Sequence, residues 1–237
     1  MTKSILYPAN ERGYANHGWL EARHSFSFAS YHDPKKVHFG TLRVLNDDII
    51  KGGFGFGKHP HDNMEIITIP LSGALEHQDS MGHKEVIRKY DVQIMSAGKG
   101  IYHSEYNHHK DQEINLLQIW LFPKLRNIEP RYDQKTYLPE DRQNKLQVVV
   151  SPTDGEGVWI NQDAWFSLGN FDAGQKINYN LKKTGNGLYA FVIEGEVEIN
   201  GQKLGRRDAI GLWDTQNVDI EALNTSEILL MDIPMEI

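Results

Sequence analysis

Two short segments carry the residues best suited to chemistry in this chain, His59-Pro60-His61 and His103-Ser104-Glu105. In a strand, residues two apart project to the same side, so each segment can offer two ligand atoms on one face. Three imidazoles and one carboxylate form a nitrogen and oxygen donor set without thiolate, which suits iron, zinc, copper, nickel, manganese or cobalt. A six-coordinate metal held by four such groups keeps two positions for substrate, water or dioxygen, whereas a tetrahedral zinc would be closed by them. The competing reading is a His-x-His on the wet face of an ordinary strand.

The flanking elements favour the ligand reading. Gly52-Gly53-Phe54-Gly55-Phe56-Gly57 leads into His59, and Ala97-Gly98-Lys99-Gly100 leads into His103; glycines there suit a bulge or a close backbone approach. Apolar runs, Ile66 to Ile69 and Leu116 to Trp120, follow each pair, so these strands belong to a core sheet. Glu65 lies four residues after His61, on the same face if the strand is regular, and is a fifth candidate. Phe54 and Phe56 could wall a cavity for a flat organic molecule.

Short apolar runs separated by Gly, Asn, Asp and Pro recur at Phe39 to Leu45, Glu65 to Leu71, Val92 to Met95, Asn115 to Phe122, Leu146 to Val150, Tyr189 to Ile193, Glu196 to Ile199 and Glu227 to Ile233. The pattern predicts an all-β chain, with short helical turns only after Pro139 and near Asn161 to Phe166. A repeat is visible: Gly73, Asp91 and Gln118 in the first copy correspond in order to Gly195, Asp208 and Leu230 in the second. A duplicated small β-barrel or jelly roll follows, with Pro123 to Lys145 as a polar connector. All 11 histidines lie between His17 and His109, so the second copy has no imidazole for a metal and one metal per chain is expected. Trp159, Trp165 and Trp213 are expected in the core or between the halves. His24 reads as a pocket-mouth or core histidine, His77 and His83 as part of a solvated turn, and His108 and His109 as surface residues.

Composition narrows the partners. At 39% hydrophobic and 24% charged residues, the chain reads as soluble and globular, long enough for two cores. A net charge of −7 argues against a nucleic-acid surface; the basic pairs Lys35-Lys36 and Arg206-Arg207 read as solvated. With no cysteine, neither disulfides nor thiolate ligands are available. No signal peptide or membrane-spanning run is recognisable, so a cytoplasmic location is expected.

The histidine segments resemble those of a known family. Gly53, His59-x-His61, Glu65 and a glycine at 73 are similar to the first motif of the cupin superfamily, and Gly98-x-Gly100-x-x-His103 to its second. The resemblance is closer to the pirins, or quercetin 2,3-dioxygenase-like bicupins. It runs through Asn10-Glu11-Arg12-Gly13, His24 to Phe28, Leu42 to Asp48, Gly57 to His61, Glu76 to Gly82 and Met95 to Glu105. Two departures stand out: the glycine after the first motif comes one residue later than in general cupins, and Tyr90 stands where many relatives have glycine.

The resemblance implies two tandem cupin-type barrels, residues 1–135 with the metal site and connector and residues 136–237 without ligands. It also implies His59, His61, His103 and Glu105 as ligands of one divalent transition metal, with iron placed first and zinc, copper, nickel, manganese or cobalt as alternatives. The implied activity is opening of a flavonol such as quercetin by dioxygen with release of carbon monoxide. Glu105 by family pattern, or Glu65 because a carboxylate on a cation is a poorer base, would take the substrate proton. Rival readings are a redox-sensing or regulatory module with a protein partner, and a zinc or manganese isomerase or hydrolase. A monomer suffices for the enzyme.

Overall fold

The computed structural model describes residues 2–237. It is all-β, as expected, apart from two single 3-10 turns at Ala9–Glu11 and Pro139–Arg142. In the first half, a seven-stranded sheet runs in the order Arg131–Thr136, Asp91–Ser96, Glu65–Ser72, Ile114–Leu121, Leu42–Ile50, Leu20–His24 and Gly13–Asn16. A four-stranded sheet packs on it, ordered Gly55–His61, Ile101–Asn107, Ala74–Asp79 and Lys84–Arg88.

The second half repeats this plan. Its large sheet is ordered Lys3–Tyr7, Ala209–Trp213, Asn186–Glu194, Ser226–Pro234, Trp165–Phe171, Leu146–Ser151 and Val158–Trp159. Its small sheet is ordered Lys176–Asn180, Asn217–Ala222, Val197–Ile199 and Gln202–Leu204. The hydrogen-bonded ladders do not close around either half, so the expected barrels are two-sheet, jelly-roll-like sandwiches. The repeat read from Gly73, Asp91 and Gln118 matches this order: the strands of Gln118 and Leu230 are the middle strands of their large sheets.

The two large sheets pack back to back. Leu45, Ile67, Ile69, Leu117 and Ile119 of one meet Val149, Phe166, Tyr189, Leu229 and Met231 of the other in a shared apolar core. Side chains therefore alternate between this central interface and the interior of their own sandwich. That alternation decides which residues can reach the candidate site.

Two local expectations are corrected. The polar connector carries a strand, Arg131–Thr136, paired with Asp91–Ser96 at the sheet edge; one side of an edge strand is wet, so charge does not exclude it. Asn161 to Phe166 is not helical. Asn161 and Gln162 bend the chain by donating side-chain hydrogen bonds to the Leu125 and Phe122 carbonyls at 2.7 Å each, and Trp165 begins a strand.

Candidate metal centre

The Gly55–His61 and Ile101–Asn107 strands pair antiparallel, with His59 opposite His103 and His61 opposite Ile101. A bulge between His103 and Glu105 then sets Glu105 opposite Phe56. The glycine run permits this approach, since a Cβ at Gly55 would lie 2.2 Å from the Glu105 carbonyl oxygen. A Cβ at Gly98, in the turn before His103, would lie 2.1 Å from the Ile128 carbonyl oxygen.

The three imidazoles converge. Ring centroids are 4.4 Å apart for His59 and His103, 4.8 Å for His61 and His103, and 4.9 Å for His59 and His61. One ligand atom from each lies within 4.8 Å of the others. His59 Nδ1 is 2.8 Å from the Gly57 carbonyl oxygen. That oxygen can only accept, so Nδ1 carries the proton and Nε2 keeps a free lone pair. Burial, and then the neighbouring imidazoles, push His61 and His103 down to about 3, leaving both neutral and able to ligate.

His103 is the residue whose surroundings call most directly for a cation. It is 2% exposed, yet neither ring nitrogen has a hydrogen-bond partner, an expensive arrangement for a purely structural histidine. Glu105 is also buried, and burial pushes its carboxyl up. Among the described residues its two oxygens accept only from Gln118 Nε2, at 3.3 Å each. A divalent cation would take one of the unpaired His103 nitrogens and offset the buried carboxylate, so the donor set fits a metal.

His77 belongs to the same cluster, which the sequence reading missed. It is fully buried rather than in a solvated turn, and its ligand atoms group with those of His103 and Glu105. The signal was the alternation Leu75-x-His77-x-Asp79, all facing inward on the third strand of the small sheet. His77 packs on Tyr132 at 4.9 Å between centroids. Asp79 Oδ2 lies 3.4 Å from His77 Nε2 and 2.8 Å from His83 Nδ1.

Gln118 and Trp120 complete the wall from the large sheet. Trp120 Nε1 donates to Gln118 Oε1 at 3.3 Å, which turns the Gln118 amide nitrogen toward Glu105. The Trp120 ring packs edge-on against His61 at 4.9 Å and against Phe28 at 5.3 Å. A glutamine inside the apolar run Leu116 to Trp120 was the available clue.

Glu65 is not brought to the cluster. The expectation required a regular strand through His61, but the chain leaves the small sheet at Asp62, turns at Asn63 with φ of 46°, and enters the large sheet at Glu65. Glu65 then shares the face of Ile67, toward the second half. Its Oε2 accepts from Ser96 Oγ at 2.7 Å and from the Asn161 N–H at 3.1 Å. Burial pushes it up to about 7, against the opposing effects of those bonds and of Arg131.

The remaining candidates are peripheral. His24 is a buried histidine bonded through Nδ1 to Asn46 Oδ1 at 2.9 Å. Phe54 is exposed and stacks on Trp19, whereas Phe56 lies 6.5 Å from His59 between ring centroids. His108 lies at the surface.

Histidines on neighbouring strands of a jelly-roll-like sandwich, repeated once without them, define a tandem cupin with one candidate metal centre. The Pirin family model matches residues 8–121, and a quercetinase C-terminal cupin domain model matches residues 148–233. The chain belongs to the pirin family. It is 44% identical to a quercetin 2,3-dioxygenase of Escherichia coli over 234 residues, covering 97% of this chain and 98% of that protein. A pirin-like protein of Caulobacter vibrioides is 41% identical over 227 residues, covering 95% and 97%. Among solved structures, the bacterial pirin YhhW of Escherichia coli in complex with nickel(II) superposes with a TM-score of 0.93 at 42% identity, covering 98% of this chain and 99% of that one. Among the described residues, no helix is long and apolar enough to cross a membrane.

Proposed function

We propose that this chain is a metal-dependent dioxygenase of the quercetin 2,3-dioxygenase type, opening a flavonol-like ring with dioxygen and releasing carbon monoxide. The observation that carries the reading is His103, buried and unpartnered at the centre of three converging imidazoles beside the Glu105 carboxylate. Residues 1–135 would contain the whole site and residues 136–237 none of its ligands. The names of the relatives favour the reaction, and the nickel(II) bound to the related pirin favours a divalent transition ion.

His59, His61, His103 and Glu105 would hold the metal, iron first in our reading, which would supply Lewis acidity toward a substrate oxygen and redox access to dioxygen. A Glu105 carboxylate oxygen takes the proton of the flavonol 3-hydroxyl. Gln118 Nε2 holds that carboxylate in place, and Trp120, packed between His61 and Phe28, keeps water from the inner side of the site. Both atoms of dioxygen enter the organic product, a ring-opened ester, as one ring carbon leaves as carbon monoxide.

The test combines elemental analysis with quercetin turnover in the presence and absence of dioxygen. About one iron per chain, with quercetin loss matched one to one by oxygen uptake and carbon monoxide release, is expected. Turnover without oxygen would replace the reading with isomerase or hydrolase chemistry. A bound metal without turnover would replace it with a sensor.

A further inference from the structure

A second polar site lies on the other side of the large sheet, at one end of the interface between the halves. Arg12 from the first half and Arg207 from the second are 8% and 7% exposed. With Arg23, Arg206, Asp47 and Asn115 they line a cleft of about 530 Å³. The expectation that Arg206-Arg207 is a solvated pair thus fails for Arg207. A backbone φ of 67° at the turn before Asp208 accompanies this inward placement. Tyr90, its counterpart in the first copy, has φ of 77°.

These two guanidinium groups are under-partnered. Asp47 Oδ2 lies 3.8 Å from Arg12 Nη1 and 3.3 Å from Arg207 Nε, while its Oδ1 accepts from Asn115 Nδ2 at 2.7 Å. Arg207 Nη2 donates to Asn115 Oδ1 at 3.1 Å and lies 3.5 Å from Glu194, which is half exposed at its side chain and bonds Arg206 Nε at 2.8 Å. The Asp208 carboxylate is committed to the Ala9 and Gly205 N–H groups, at 2.7 and 2.9 Å. Glu21 sits on the exposed rim. Arg12 Nε and Nη2 and Arg207 Nη1 are left without a partner although buried, and burial pulls both guanidinium groups down from their ordinary basicity.

Another buried arginine, beyond the facing pair Glu194 and Glu227, is an internal control. This residue, Arg142, bonds Asn170 Oδ1 at 2.8 Å and Glu227 Oε1 at 2.7 Å, with one nitrogen left over. The adjoining space, lined by Tyr90, is only about 20 Å³. Arg142 is paired and its surroundings are filled, whereas Arg12 and Arg207 border open space and keep unpaired nitrogens.

We propose that the cleft between Arg12 and Arg207 binds an oxyanion, a small carboxylate or phosphate group forked between the two guanidinium groups. Guanidinium donors match such planar or tetrahedral oxygens in pairs. The site does not depend on the metal reading, because Asp47 faces the interface whereas the candidate metal ligands face the sandwich interior.

The test is calorimetric titration of the metal-loaded full-length protein with sodium phosphate and with sodium succinate at constant ionic strength, against sodium chloride. Saturable one-to-one binding of at least one oxyanion, and none of chloride, is expected; the preferred salt identifies phosphate or carboxylate as the source. Arg207→Gln should weaken that binding at least tenfold at unchanged metal content. Should Arg207→Gln fail to fold, Arg23→Gln on the exposed rim takes its place with a smaller loss. No saturable binding of either oxyanion, or undiminished binding in the folded variant, overturns the site.

Discussion

The two sandwiches build one interior plan from opposite chemistry. Across six neighbouring strands of the first large sheet, Gln134, Gln93, Thr68, Gln118, Asn46 and His24 stand directly opposite one another in one row. The same strand positions in the second sheet hold Leu6, Ile210, Ala190, Leu230, Ser167 and Val148. Ile210, Ala190 and Leu230 at the middle of the second row join a continuous apolar core with Tyr179, Val218 and Ile220 from the facing small sheet. The first lies beneath the histidines and leaves Thr68 Oγ1 and Gln93 Oε1 buried without partners. Unmade polar bonds destabilise a fold. The second half therefore supplies apolar stability that the first gives up to house a site.

His103→Ala should break the comparison most completely. It removes the central imidazole, so metal affinity falls by more than about 100-fold, beyond the usual effect of outer-shell changes, and turnover is lost with it. Ile220→Ala, on the strand that corresponds to that of His103, should leave metal content and turnover intact. Its cost is stability, about 2–5 kcal/mol for a buried isoleucine. Elemental analysis and urea denaturation on both variants separate the outcomes; metal loss from Ile220→Ala would mean that the halves do not divide the work.

A reciprocal exchange at the middle of each row should give the next largest effect. Gln118→Leu installs the residue of the second half and removes the only donor to the Glu105 carboxylate among the described residues. Metal affinity should drop roughly 10- to 100-fold, measured by competition with a chromogenic chelator. Leu230→Gln places an amide in the apolar core and should cost about 1–3 kcal/mol, with metal affinity unchanged. Equal metal affinity in Gln118→Leu and the parent would reduce the row to packing.

What could be read from the sequence followed the local rules. The His59 and His61 pair, the His103 and Glu105 pair and the glycines between them were legible because strand alternation needs only spacing two. The duplicated order was legible through Gly73 and Gly195, whose turns both require positive φ. Glu65 was misread because three residues carry the chain from one sheet to the other and reverse the face it presents. His77 and Arg207 were misread because their burial comes from partners distant in sequence, Tyr132 for one and Asp47 for the other.

Glu65→Gln should have the smallest effect on the site and sharpens the comparison by its sign with pH. Metal content and turnover are expected to stay within about twofold of the parent, as for a change away from the reacting groups. The folded-state carboxyl lies at about 7 against a reference of 4.5. Below 4.5 both states are protonated, and Glu65 adds no pH dependence. Between about 4.5 and 7 the unfolded chain ionises while the folded one stays neutral, so this residue lowers stability as pH rises, by up to about 3 kcal/mol, and the loss is complete above 7. The glutamine can still accept from Ser96 and Asn161 but cannot ionise. The difference in unfolding free energy between parent and variant, measured by urea denaturation at pH 4, 6 and 8, should therefore grow in favour of Glu65→Gln across that window. A flat difference would mean that Glu65 is ionised in the folded state, with Arg131 neutralising it. A fall in turnover above twofold would return Glu65 to the chemistry.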